Sequence, residues 1–105
     1  VRGFAEVKGV TLNEDGTARF PDAPTERGVK HLHSLVRAVE AGYRAAALFV
    51  IQRSDVTRFE PNQARDPAFA RALREAAAQG VKLRALICTV TPGALEITGE
   101  VPVCL

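Results

Sequence analysis

The run Ala45-Ala46-Ala47-Leu48-Phe49-Val50-Ile51 contains no polar residue and stands between two stretches whose apolar residues recur at helical spacing. It has the length of a strand and is far short of the ~20 residues of a membrane span. An unbroken apolar strand is expected in the middle of a sheet covered on both faces. On its N-terminal side, Val29, Leu32, Leu35, Val36 and Val39 predict a helix from about Thr25 to Ala41. Pro21-Asp22-Ala23-Pro24-Thr25-Glu26 supplies the cap and first turn, and Gly42 supplies the stop. On its C-terminal side, a polar loop leads to Asp66-Pro67, a capping carboxylate followed by a proline at the first helical position. Phe69, Ala72, Leu73, Ala76 and Ala77 form the inner stripe of this second helix, and Gly80 ends it.

Further out, Phe4 to Leu12 is strand-like, with Val1-Arg2-Gly3-Phe4 as its start. Asn13-Glu14-Asp15-Gly16 is a turn cluster that leads back into Thr17 to Phe20 as a hairpin. Val81 to Val90 reads as a second apolar strand and Pro92-Gly93 as a turn. Leu95 to Val103 reads as an edge segment, the one place where Pro102 is tolerated. The order strand, strand, helix, strand, helix, strand, strand predicts an α/β domain with a mixed β-sheet flanked by two helices.

Composition agrees with one globular domain: 105 residues, 47% apolar, 14 Lys plus Arg against 12 Asp plus Glu. A chain of this size buries roughly two-thirds of its unfolded surface, enough for a single core. There is no internal repeat, low-complexity tract or linker. The chain opens in structured sequence without a methionine or a leader, which leads to the expectation that an upstream half precedes it. Cys88 and Cys104 have no metal-type or redox-type spacing and lie in apolar stretches. They read as reduced thiols of a cytoplasmic protein, with a disulfide between them as the alternative. The net charge of +2 does not by itself call for nucleic acid, and the excess of Arg over Lys, 11 to 3, fits either phosphate recognition or genomic base composition.

The stretch richest in chemistry is Phe4-Ala5-Glu6-Val7-Lys8-Gly9-Val10. Residues two apart on a strand share a face, so Glu6 and Lys8 project together. Residues alone leave two readings open: a surface ion pair, or a carboxylate that joins a second acid in a divalent-cation site while Lys8 orients a water against a phosphodiester. On the first helix, Arg27, Lys30, His31 and Ser34 fall at offsets 0, 3, 4 and 7, a basic stripe opposite the apolar one. That stripe is either a phosphate-contacting surface or a solvated face carrying an ordinary Glu26–Lys30 pair. Thr25 reads as the helix cap, at a helix start that would also suit a phosphate. His31 and His33 are turned about 200° apart on a helix and do not form a zinc pair. His33 reads as a boundary residue half packed under the helix. His31 reads as a phosphate contact or proton carrier. Arg53, Arg58 and Arg65 fall in the loop after the central strand, where α/β sheets place their clefts, and read either as an embrace for a backbone phosphate or as solvated loop residues. One Tyr, five Phe and no Trp give little sign of a base-stacking platform, and no nucleophilic triad or glycine-rich phosphate loop is present.

The segments Glu6-Val7-Lys8-x-Val10-Thr11-Leu12 and Phe20-Pro21-Asp22-Ala23-x-Thr25-Glu26-Arg27-Gly28-x-Lys30-His31-Leu32 resemble the bacterial sugar fermentation stimulation protein A family. Arg58-Phe59-x-Pro61, the Ala76 to Gly80 helix end and Val101-Pro102-Val103 extend the likeness over essentially the whole chain. The resemblance implies a C-terminal domain similar to the PD-(D/E)XK nuclease core, preceded by a small barrel resembling the oligonucleotide-binding fold. It also implies DNA as partner and a link to sugar utilisation. Carried over residue by residue, it makes Glu6 the second metal-binding acid and Lys8 the catalytic lysine, and it adds weight to the nucleic-acid-contacting reading of Arg27, Lys30 and His31, with Thr25 at the same helix start. The first acid of the pattern, an Asp on the preceding strand, is expected upstream of Val1; Asp22 does not match it. The expectation is therefore Mg²⁺- or Mn²⁺-dependent phosphodiester hydrolysis in the intact protein, with weak or no metal binding by these 105 residues alone. The alternative is a DNA-binding regulator that does not cut.

Overall fold

A computed structural model describes residues 3–105. The elements in chain order are β1 (Gly3–Val10), β2 (Leu12–Glu14), β3 (Thr17–Phe20), α1 (Glu26–Glu40), β4 (Arg44–Ile51), β5 (Arg58–Pro61), α2 (Pro67–Ala78), β6 (Lys82–Thr91) and β7 (Ala94–Val101). The expected strand start at Val1 and Arg2 lies outside the described residues.

The chain is α/β, with two sheets in place of the single one expected. The larger has the order β1-β4-β6-β7, parallel except for antiparallel β7 at one edge. The smaller has the order β2-β3-β5. The split falls at Thr11, where the chain leaves β1 and starts the β2–β3 hairpin. Asp15 and Gly16 close that hairpin, both with positive φ (50° and 83°), the backbone a two-residue turn requires. β5 replaces part of the predicted polar loop. Arg58-Phe59-Glu60-Pro61 alternates for too short a span to signal a strand, and its partner β3 lies about forty residues earlier in the chain. β7 stops at Val101, so Pro102 follows the strand, and Val103 bridges back to Phe59.

Ala45, Ala47, Phe49 and Ile51 of β4 are buried together with Leu32 and Leu35 of α1 and with Phe69, Leu73 and Ala76 of α2, one core on one face of the large sheet. The alternate residues Ala46, Leu48 and Val50 are only half-buried. β4 is thus internal to the sheet but covered by helices on a single face, which corrects the expectation of two covered faces. An aromatic group fastens the two sheets together: Phe49 stacks on Phe59 at 4.3 Å between centroids, and Phe20 meets both Phe49 and Phe69.

The helices start and stop where their caps predict. The Thr25 hydroxyl accepts from the Gly28 amide at 3.0 Å, and Asp66 accepts from the Phe69 amide at 3.0 Å. The other oxygen of Asp66 accepts from the backbone amide of Thr25 at 2.9 Å, so one buried carboxylate caps α2 and holds the entry to α1. Gly28 lets the helices approach: a Cβ there would lie 2.8 Å from Thr25 Cγ2 and 3.1 Å from the Phe69 ring. Cys88 and Cys104 are free thiols. No helix among the described residues is long and apolar enough to cross a membrane.

Candidate functional site

Alternation along β1 turns Glu6, Lys8 and buried Val10 toward the helix side, and Val7, 59% exposed, toward the other. The parallel register with β4 sets Glu6 beside Ala47 and Lys8 beside Phe49, so the pair stands next to the core at the margin of the sheet. α1 lies on the same face. Gly28, Leu32 and Leu35 form its buried line, and His31, adjacent to that line, is carried to its β1 flank.

Three groups meet there. The Lys8 ammonium lies 3.3 Å from Glu6 Oε1, His31 Nδ1 lies 3.0 Å from the same oxygen, and Lys8 Nζ lies 2.7 Å from His31 Nδ1. Nδ1 has one hydrogen-bonding position. It accepts from Lys8 when the ring proton is on Nε2, or it donates to Glu6 when the proton is on Nδ1. The ring can therefore serve either neighbour without a change of side-chain geometry. The Lys8 side chain is 17% exposed and that of Glu6 34%, so both are partly removed from solvent yet open to a ligand. Such an arrangement can orient water, hold a developing negative charge and accept a proton.

The stripe expected opposite the apolar face divides. Arg27, Lys30 and Ser34 are exposed, whereas His31 is half-buried and faces β1; the difference follows from its place beside Leu32 and Leu35. Ser34 donates to the Lys30 carbonyl and accepts from Arg37. The Thr25 hydroxyl is engaged in its cap, and Thr25 and Lys30 line a separate small cleft between the helix starts. His33 is exposed at that cleft, not packed under the helix. Two of the three loop arginines are engaged within the chain: Arg53 makes a two-armed pair with Asp55, and Arg58 lies in β5 bonded to Glu60 and Thr17, while Arg65 is exposed. The Arg53 guanidinium holds the Asp55 carboxyl below its ordinary range.

Among the described residues no group of three or more His, Cys, Asp or Glu side chains could hold a metal ion. Around Glu6 the donors are one carboxylate and one imidazole, and a hard divalent cation needs about six oxygen ligands. A second acid would have to come from outside the described residues.

A groove of about 420 Å³ runs from Glu6 and His31 along the seam of β1 and α1 to Phe4 and Tyr43, with Arg37 on its wall. No sequence signal pointed to it, because Phe4 and Tyr43 lie in separate elements.

Comparison with known proteins gives a consistent result. The profile described as "Sugar fermentation stimulation protein RE domain" matches residues 1–94. A sugar fermentation stimulation protein homolog of Desulforamulus reducens is 49% identical over 97% of this chain and 43% of its own length. One of Desulfitobacterium hafniense is 57% identical over 89% of this chain and 41% of its own. The solved structure of Pyrococcus furiosus SfsA in complex with Ca²⁺ superposes with a TM-score of 0.87 at 33% identity, covering 96% of this chain and 44% of that one. The chain thus spans less than half the length of these relatives. With the profile matched over most of its residues, the chain belongs to the sugar fermentation stimulation protein family.

Proposed function

We propose that this chain is the nuclease-like, DNA-binding domain of a longer protein, with a PD-(D/E)XK type of core and an oligonucleotide-binding-like barrel preceding it. The observation that carries the reading is the convergence of Glu6, Lys8 and His31 within 3.3 Å of one another on an open, half-buried face. Arg27 and Lys30, exposed on the same helix as His31, supply positive charge for the phosphate backbone. The relative from Pyrococcus furiosus was solved with Ca²⁺, which supports a divalent cation in the family. In the intact protein Glu6 would hold Mg²⁺ or Mn²⁺ together with an upstream acid. Such a cation supplies charge neutralisation and an activated water.

The chain's own residues have simpler tasks. The Lys8 ammonium faces the phosphoryl oxygen on which charge grows as the water oxygen bonds to phosphorus and the ester oxygen departs. His31 accepts the proton that the water gives up, and the departing ester oxygen takes a proton from solvent. The rival reading is a regulator that binds without cutting, and the single carboxylate at the cluster favours it for these residues alone.

The test is cleavage of single- and double-stranded DNA and RNA by the intact protein with Mg²⁺ or Mn²⁺, beside Glu6→Ala and Lys8→Ala. Cleavage abolished in both variants with binding retained supports the nuclease reading. Binding without cleavage under either metal, unchanged in the variants, establishes the regulator.

A further inference from the structure

The groove beside the cluster has the chemistry of a binding site for an unpaired nucleobase. Phe4 stands two residues before Glu6 on the same face of β1, about 7 Å along the strand. Gly42, with φ +92°, ends α1 and turns the chain so that Tyr43 donates its amide to the Ala38 carbonyl at 3.0 Å. This brings Tyr43 edge-to-face against Phe4, with centroids 5.3 Å apart and planes at 87°. Both rings stay open, Phe4 at 48% and Tyr43 at 39% exposure. Leu35 and Ala38 line the groove with them, and Arg37 stands on its wall. Glu6 is engaged by Lys8 and His31, which leaves the Arg37 guanidinium on the wall as the cation that can meet a phosphate chain in the groove.

We infer that Phe4 and Tyr43 form a stacking ledge for an unpaired base, which places that nucleotide's phosphate at Glu6, Lys8 and His31, so that the substrate class is single-stranded nucleic acid. The inference rests on the nucleic-acid reading of the cluster and adds strandedness to it. A duplex hides the faces of its bases and offers only their edges, whereas a ledge of this kind recognises a face. The volume suits a planar ring with its sugar and lies in the range of small-ligand sites.

The experiment titrates the intact protein with a labelled short oligothymidylate and a labelled duplex of equal length, following anisotropy, with inorganic polyphosphate as a competitor that has no bases. Phe4→Leu keeps apolar bulk and removes the ring. It should weaken single-strand affinity about tenfold, the scale of one lost stacking contact, with duplex affinity, the polyphosphate competition and the thermal midpoint little altered. Oligothymidylate that binds Phe4→Leu as tightly as the parent overturns the ledge and leaves the nucleic-acid reading standing. Failure of every oligonucleotide to bind the parent overturns both.

Discussion

Lys8 is held by two partners of different kind, the Glu6 carboxylate and the His31 ring, and neither contact follows from spacing alone. Strand alternation makes Glu6 and Lys8 neighbours, whereas His31 arrives from a helix 23 residues away. A solvated pair at the surface tolerates loss of one member at a cost of about 1 kcal/mol or less. In this cluster, Lys8→Met removes the ammonium and leaves the carboxylate in contact with the His31 ring, so the variant should lose phosphate affinity while its denaturation midpoint changes little. Isothermal titration with pyrophosphate, beside a urea melt, checks both halves of that statement. Gly28 is a residue whose role is purely geometric. Gly28→Ala forces a methyl against Thr25 and the Phe69 ring, and overpacking of this kind costs about 1–3 kcal/mol. Urea denaturation of the variant should show that loss, and a smaller loss in the double variant Gly28→Ala, Phe69→Leu than the two single changes sum to.

Two elements depend on one side chain. Thr25→Ala removes a single cap bond of α1 and should cost about 0.5–2 kcal/mol. Asp66→Ala removes the cap of α2 and also strands the Thr25 amide, so its cost should exceed that of Thr25→Ala by about 1–3 kcal/mol, the penalty for an unsatisfied buried donor. Denaturation of the pair under one set of conditions ranks them. Between β6 and β7, Arg84 and Glu100 form a two-armed exposed pair, and the guanidinium lowers the Glu100 carboxyl below its ordinary value of 4.5. A carboxyl lowered in the folded state contributes stability that is complete above its unfolded value and is lost as pH falls through the folded one. The difference in stability between the parent and Glu100→Gln should therefore be present at about pH 7, vanish toward about pH 2 and shrink in high salt.

At the scale of the whole molecule, α1 covers one face of the large sheet with α2 packed against it, the cluster and the groove open along the β1 margin, and Lys30 stands at the separate cleft between the helix starts. Arg27→Ala with Lys30→Ala should weaken DNA binding alike for all sequences and reduce the slope of log affinity against log salt by about one per charge removed. Unchanged slope in a salt titration would remove α1 from the interface. The sequence by itself determined the helices, because caps, glycine stops and the 3.6-residue period are local: Thr25, Asp66-Pro67, Gly42 and Gly80 bound them as read. It also determined the core strands β4 and β6, the shared face of Glu6 and Lys8, and the family, whose motifs are contiguous. It did not determine β5, whose four residues acquire strand geometry only by pairing with β3, or the division into two sheets at Thr11. Nor did it determine which side of α1 turns His31 inward, because the Leu32–Leu35 line sits on β4 only once the helix is docked. The meeting of Phe4 with Tyr43 is the same kind of fact. Local structure follows from neighbours along the chain, whereas a site assembled from a strand, a helix and a turn exists only when packing of the core has fixed their separation.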